Sequence, residues 1–256
     1  MLKVDNVTKK YGKNTACDNL SFELEPGTLT VLLGPNGAGK STIMKSIIGF
    51  LKYQGKITVN GFHNKSTDAK KILGYIPEMP SLYSTLTVSE HMEFIARAYK
   101  MSNYKDRINM LLERFELADK KKKFGDELSK GMQQKLNICI GLLPDPQVIL
   151  LDEPMIGLDP HAIKELKLLI EEMRQAGKTM LISTHIIDSV DMMWDRTIIM
   201  QNGQICANIT KAELDAQGKT LEEKFFEVTE GVNEEDISEK NAETESEEKS
   251  DGKEEE

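Results

Sequence analysis

The order of apolar and polar positions divides the chain into short buried runs and longer stretches of helical spacing. Leu29-Thr30-Val31-Leu32-Leu33 is brief and almost wholly apolar, which predicts a strand covered on both faces. Val148-Ile149-Leu150-Leu151, Thr179 to Ser183 and Thr197 to Met200 read the same way. Leu20 to Leu24 alternates apolar and polar residues, predicting a half-buried strand, and Leu2-Lys3-Val4 predicts a shorter one before it. Ile57-Thr58-Val59 followed by Asn60-Gly61 predicts a hairpin with a tight turn. Helical spacing marks Lys40 to about Phe50, Glu90 to Tyr99 and Lys105 to Phe115. A further helix takes Asp159 as cap and Pro160 in its first turn, sets Ile163, Leu166, Ile170 and Met173 on one face, and ends at Gly177. Leu221 to Phe226 suggests a last amphipathic helix. Buried strands alternating with helices mean an α/β fold, a parallel sheet with crossover helices. Residues 80–144 interrupt the alternation. They are rich in helix formers and read as a helical insertion.

Charge changes the picture at one end. The chain of 256 residues carries 33 Lys and Arg against 42 Asp and Glu, a formal charge of −9. Residues 230–256 hold 13 of the acids and 3 of the bases, a local −10, so the first 229 residues stand at +1. That tail has almost no apolar residues to offset chain entropy and is expected to be disordered. The near-neutral body argues against a nucleic-acid partner held through phosphate charge. It is large enough for a sizeable core. No window approaches the ~18–20 apolar residues of a membrane-spanning helix, and Met1 to Asp5 shows no apolar signal region. Cys17, Cys139 and Cys206 are far apart and outside any CxxC pattern, so they are expected to be small core residues in a reducing compartment.

Candidate chemistry begins where the first buried strand ends. Gly34-Pro35-Asn36-Gly37-Ala38-Gly39-Lys40-Ser41 fits G-x-x-x-x-G-K-[ST], with a strand before it and a helix after it. Glycines let backbone N–H groups turn inward around a phosphate, and the helix N-terminus adds partial positive charge. Lys40 is suited to neutralise the outer phosphates and the Ser41 hydroxyl to ligate Mg²⁺. The run Val148 to Leu151 then ends in Asp152-Glu153. A buried strand delivers such acids to the carboxyl edge of the sheet, where α/β proteins bind ligands. There Asp152 can hold Mg²⁺ and Glu153 can orient and polarise an attacking water. His185, after Ser183-Thr184, should reach the same edge, where it can polarise a γ-phosphate or link it to Glu153.

Taken together, the sequence resembles the ATP-binding cassette (ABC) ATPases, the nucleotide-binding subunits of ABC transporters, over nearly all of residues 1–229. Leu128-Ser129-Lys130-Gly131-Met132 stands in the place of the family's LSGGQ signature and separates this family from other P-loop enzymes. Tyr11-Gly12 resembles the aromatic loop, and Gly157-Leu158-Asp159 the D-loop. The resemblance implies a P-loop NTPase core with an antiparallel β-subdomain, and with the 80–144 insertion as its α-helical subdomain. It implies ATP and Mg²⁺ as ligands, with Tyr11 stacked on adenine and Gly34 to Ser41 and Thr42 around the phosphates. It also implies head-to-tail pairing of two cassettes, in which Ser129, Lys130, Gly131 and Met132 of one chain face the γ-phosphate bound by the other. Two positions depart from the pattern. Glu78, in Tyr75-Ile76-Pro77-Glu78, replaces the Q-loop Gln. It can still ligate Mg²⁺ or position water, but adds negative charge near phosphate. The signature reads Ser-Lys-Gly-Met, so Lys130 can add attraction to ATP while Met132 lacks a hydrogen-bonding amide. Both departures resemble the branch that serves ABC-2-type export permeases.

A separate transmembrane permease is therefore the expected partner, with the chain peripheral on the cytoplasmic face of the cell membrane. The family docks the permease just after position 78, so Leu82, Tyr83 and Leu86 form either an exposed patch or part of the core. A soluble ABC ATPase acting on ribosomes or DNA is the alternative, but those join two cassettes or carry long coiled-coil insertions, and neither occurs here. A GTPase is disfavoured because Asn64-Lys65-Ser66-Thr67 lacks the closing Asp of the guanine motif.

Overall fold

The computed structural model describes residues 1–187 and 194–230. The acidic tail expected to be disordered, 230–256, lies outside the described residues except for Glu230, which instead ends the last helix. The main sheet has six strands: β3 (Leu29–Leu33), β6 (Leu73–Ile76), β7 (Val148–Asp152), β8 (Thr179–Thr184), β9 (Arg196–Gln201) and β10 (Gln204–Thr210). Their order is β10-β9-β3-β8-β7-β6, parallel except for the antiparallel edge strand β10. A second, antiparallel sheet runs β2-β1-β4-β5, with β1 (Leu2–Tyr11), β2 (Asn14–Leu24), β4 (Gln54–Val59) and β5 (Phe62–His63). The β4–β5 turn is the one expected from Asn60-Gly61, and both residues take positive φ, 48° and 82°.

The period of two along each central strand sorts its side chains between two cores. Leu32, Leu150, Leu181 and Ile198 join Ile43, Met44 and Ile47 of α1 (Lys40–Ile47) and the inner face of the antiparallel sheet. Leu33, Ile149, Leu151, Ile182 and Ile199 point the other way, toward a helical layer. Each fully buried Leu or Ile contributes about 1.5–3 kcal/mol relative to exposure. Burial on both faces explains why these strands read as continuous apolar runs.

The helical layer comprises α3 (Val88–Ala98), α4 (Tyr104–Arg114), α5 (Lys130–Leu142) and α6 (Pro160–Gln175). The first three lie between β6 and β7 in sequence, although those strands are neighbours in the sheet. Thr87 and Glu90 form a reciprocal capping box that starts α3, a feature worth about 1 kcal/mol. Arg114 of α4 reaches Glu165 and Glu172 of α6 at 3.1 and 2.6 Å. Lys135 of α5, almost fully buried, bridges Asp159 at 2.8 Å and Glu116 at 3.1 Å. Two short helices, α2 (Thr67–Ile72) and α7 (Lys211–Ala216), two 3-10 turns (Ala118–Lys120 and Gly125–Glu127) and a final α8 (Leu221–Glu230) complete the described chain.

The structure extends or adds to the sequence reading in several places. β1 and β2 form one long hairpin where two short strands were expected. The strands β6 and β10 were not anticipated. β6 is brief and interrupted by Gly74, where a Cβ would lie 2.5 Å from the Pro146 ring. Edge strand β10 alternates exposed residues with half-buried ones and buries only Ile209, so it lacks a long apolar run. Of the cysteines, Cys17 and Cys139 are buried, but Cys206 sits on that edge strand and is exposed, contrary to expectation.

Candidate nucleotide site

The loop from Gly34 to Gly39 leaves β3 and enters α1. Gly34 is forced by packing: a Cβ there would lie 2.3 Å from the Met200 carbonyl of β9. Gly39 takes φ +104°, and a Cβ would meet the Ala16 carbonyl at 2.4 Å. Helix α1 starts with no side-chain cap and no acid in its first turn, so its first N–H groups remain available to an anion. A cavity of about 390 Å³ opens over this helix end. Asn36 to Thr42 form its floor, and Ala16, Glu78, Glu153, Ile156 and His185 form its walls. Pro35 shapes the loop from outside the cavity, its carbonyl accepting from the Ala38 N–H at 3.1 Å.

Charge converges on this cavity. The Lys40 ammonium donates to the Gly34 carbonyl at 2.6 Å and to that of Pro35 at 3.3 Å, and lies 3.6 Å from Glu153 Oε1. Burial holds its pKa below the usual lysine range, against the opposing pull of Glu153, Asp152 and Glu78. Asp152 ends β7 beside it. Its Oδ1 accepts from Ser183 Oγ at 2.6 Å and from Ser41 Oγ at 3.1 Å, and its Oδ2 from the Tyr75 hydroxyl at 3.1 Å. Burial, then the charges of Asp152 and Glu78, push the Tyr75 phenol upward, so it remains a donor. Glu153 takes φ +46°, a strained left-handed conformation for a residue with a Cβ. Ser183 secures it: the Glu153 N–H donates to both the carbonyl and the hydroxyl of Ser183 at 3.1 Å. His185 Nδ1 stands 2.9 Å from Glu153 Oε1.

Helix α5 holds the flanks. Asn137 donates to the Pro77 carbonyl at 2.8 Å and to Gln134 Oε1 at 3.2 Å, while Gln134 donates to the Pro154 carbonyl at 3.4 Å. This buried amide pair therefore fixes the backbone beside Glu78 and beside Glu153. Sequence reading passed over it, as it passed over Ser183, Tyr75, Ala16 and Ile156. The strand-end position of Ser183, opposite Asp152, was the one usable signal.

Other expected site residues lie elsewhere. Tyr11 is outside the cavity lining, and its ring carries the Lys9 ammonium 4.6 Å from its centroid. Ser129, Lys130, Gly131 and Met132 start α5, also outside the cavity; Ser129 Oγ accepts the Met132 N–H at 3.3 Å as the helix cap. Gly131 abuts the Gly157 turn, where a Cβ would lie 3.0 Å from the Gly157 carbonyl. Asp159 caps α6 through the Ala162 N–H and pairs with Lys135, which holds its carboxyl below the usual range. Among the described residues no cluster of three or more His, Cys, Asp and Glu has the geometry of a metal site. The adjacent hydroxyl and carboxylate of Ser41 and Asp152 nevertheless fit Mg²⁺, a hard cation that takes one or two protein oxygens together with phosphate and water.

The family model for ABC transporters matches residues 17–156. The chain belongs to the ABC transporter family. It is 37% identical over 238 residues to the ABC-type transporter ATP-binding protein EcsA of Bacillus subtilis, covering 90% of this chain and 96% of that one. It is 38% identical over 226 residues to the lantibiotic transport ATP-binding protein SrtF of Streptococcus pyogenes, covering 88% and 96%. A dimeric structure of the bacterial ABC transporter cassette MJ0796 superposes with a TM-score of 0.74 at 27% identity, covering 82% and 98%. The cassette is thus an ATP-binding subunit and an ATPase. Among its described residues no helix is long and apolar enough to cross a membrane.

Proposed function

We propose that this ATPase powers export through a separate transmembrane permease, working as one of two paired cassettes. The observation that carries the hydrolytic part is the convergence of Lys40, the Ser41–Asp152 pair and the His185–Glu153 pair on one cavity. The Gly34 to Thr42 loop and the α1 N-terminus receive the ATP phosphates. Polyphosphate oxygens then replace the Gly34 and Pro35 carbonyls as partners of Lys40. Ser41 and Asp152 would hold Mg²⁺, which when bound would supply charge neutralisation across the phosphates. Glu153 orients a water for in-line attack on the γ-phosphorus, with ADP leaving from the opposite side. His185 fixes the rotation of Glu153. Glu78 stands on the cavity wall, where it would position that water or ligate Mg²⁺.

Pairing is supported by the signature lying outside its own chain's cavity. Ser129 and the Gly131 N–H mark a helix start suited to an anion brought by another copy. The related MJ0796 cassette is dimeric, which supports pairing. Lys130 adds charge at that contact, and Asp159 reaches it through the D-loop. The permease reading rests on an apolar surface after Glu78. Met79 is 79% exposed, Tyr83 58% and Phe94 51%, with the Tyr83 and Phe94 rings 5.9 Å apart. Of Leu82, Tyr83 and Leu86 only Tyr83 is exposed; Leu82 and Leu86 are half-buried, Leu82 against the core, and Phe94 joins Tyr83 on the surface. The Tyr83 backbone is pinned from beneath, its N–H donating to His91 Nε2 at 2.9 Å. Export is supported by Glu78, Lys130 and Met132 and by the lantibiotic-transport relative. Through the permease the cassette sits on the cytoplasmic face of the membrane. Sedimentation with ribosomes instead of membranes would revive the soluble alternative.

The deciding experiment is Glu153→Gln. Hydrolysis should fall by at least two orders of magnitude, the lower bound for a lost general base, while ATP still binds and traps a dimer on gel filtration. Undiminished turnover would remove Glu153 from the mechanism.

A further inference from the structure

Asp152 is restrained at both carboxylate oxygens, and the nucleotide motifs account for only part of that restraint. Ser41 belongs to the phosphate loop. Tyr75, three residues before the Q-loop position Glu78, has no role assigned by the motifs: it lies on β6, opposite Leu150 of β7 in the ladder, and its ring enters the core beside α1. The ring is braced edge-on by Phe50, with centroids 6.1 Å apart at 82°. Phe50 itself is 71% exposed, at the mouth of the turn that follows α1. From this half-buried position the Tyr75 hydroxyl donates to Asp152 Oδ2 at 3.1 Å, while Ser183 and Ser41 donate to Oδ1.

We propose that Tyr75 is a positioning residue for the divalent metal: its hydroxyl fixes the rotation of the Asp152 carboxylate, so that its free lone pairs face the site shared with Ser41. The proposal rests on the reading that Ser41 and Asp152 hold the metal. Two donors on Oδ1 alone leave the carboxylate able to turn about its last torsion. A third donor, on Oδ2 and from the opposite neighbouring strand, removes that freedom. The Phe50 contact limits the swing of the ring that carries this donor. Nucleotide binding without metal depends on the loop backbone and Lys40, to which the Tyr75 hydroxyl makes no hydrogen bond, so the two kinds of binding should separate.

The test is Tyr75→Phe in the full chain, which keeps the ring and its Phe50 contact and deletes one oxygen. Binding of Mn²⁺, as a paramagnetic stand-in for Mg²⁺, is followed by electron paramagnetic resonance with a saturating non-hydrolysable ATP analogue. Affinity of the same analogue is measured separately in EDTA. Loss of an outer-shell partner weakens metals about 10–100-fold; as one of three donors, Tyr75 should account for about five- to tenfold. Analogue affinity in EDTA should stay within about twofold of the parent. Unchanged Mn²⁺ affinity, or an equal loss with and without metal, overturns the proposal. Tyr75→Leu removes the ring as well. If Phe matches the parent and only Leu is impaired, packing is what matters and the proposal fails. Asp152→Asn separates the two levels: if it leaves Mn²⁺ affinity intact, the metal reading of Asp152 is wrong. If Asp152→Asn weakens Mn²⁺ and Tyr75→Phe does not, only the role of Tyr75 is wrong.

Discussion

Lys135 joins the signature helix to the turn after Glu153, and its energetic weight can be worked from the geometry. Its ammonium is 2.8 Å from Asp159 and 3.1 Å from Glu116, and the Lys135 side chain is 8% exposed against 48% and 59% for its partners. At about 2.8 Å two unit charges attract by roughly 1.5 kcal/mol at the dielectric of water and roughly 6 at an effective dielectric of 20. The half-exposed carboxylates place the pair toward the first figure, and desolvation of Lys135 offsets part of it. A net coupling of about 1 kcal/mol with Asp159 is therefore expected, at the upper end for exposed pairs. Lys135→Met keeps the buried stem and removes the charge, leaving both carboxylates in contact with water, so it should cost about 1–2 kcal/mol. Asp159→Asn preserves the cap on α6 and removes only the charge. Urea unfolding of the parent, both single variants and the double variant at pH 7 gives the coupling directly. The pH matters because Lys135 depresses the Asp159 pKa. A depressed carboxylate contributes above its unfolded pKa, and the contribution disappears as pH falls through its folded pKa, below 3.8. The cycle should thus give its full value at pH 7. A coupling under about 0.3 kcal/mol would refute the bridge, and one above about 3 would mean the pair behaves as fully buried.

Two other expectations use different parts of the molecule. Gly39→Ala places a Cβ against the Ala16 carbonyl at φ +104°, whereas Gly37→Ala, at φ +84°, meets open space. The first should cost about 2–4 kcal/mol and abolish nucleotide binding, the second about 1–2 kcal/mol; equal effects in urea unfolding and nucleotide titration would contradict the close-approach argument. Native protein at pH 7.5 should react rapidly with a maleimide at Cys206 alone, because Cys17 and Cys139 are buried and burial pushes the Cys17 thiol up to about 12. Mass spectrometry showing fast modification of Cys17 or Cys139 would refute that burial.

Much of this architecture was legible because the signals are local. The strand, loop and helix around Gly34 to Ser41 lie within one stretch of chain, and so do the strand and acids ending at Glu153. What escaped is non-local. Ser41, Tyr75 and Ser183 reach Asp152 across 111, 77 and 31 residues. They meet because the loop after β3, then β8, β7 and β6, bring them in that order along one carboxyl edge. The apolar pattern tells that each strand is buried, but apolar packing is non-directional and tolerates many neighbour orders. β6 in particular is four residues with a glycine, too short to announce itself, yet it carries the Tyr75 hydroxyl. The same reasoning applies to Tyr11. The family resemblance implied a base-stacking ring at Tyr11; the long β1–β2 hairpin sets that ring beside Lys9 and puts Ala16 on the cavity wall. A motif thus identifies the atoms that meet phosphate, whereas the groups that hold those atoms still are chosen by strand order and become legible only once that order is known.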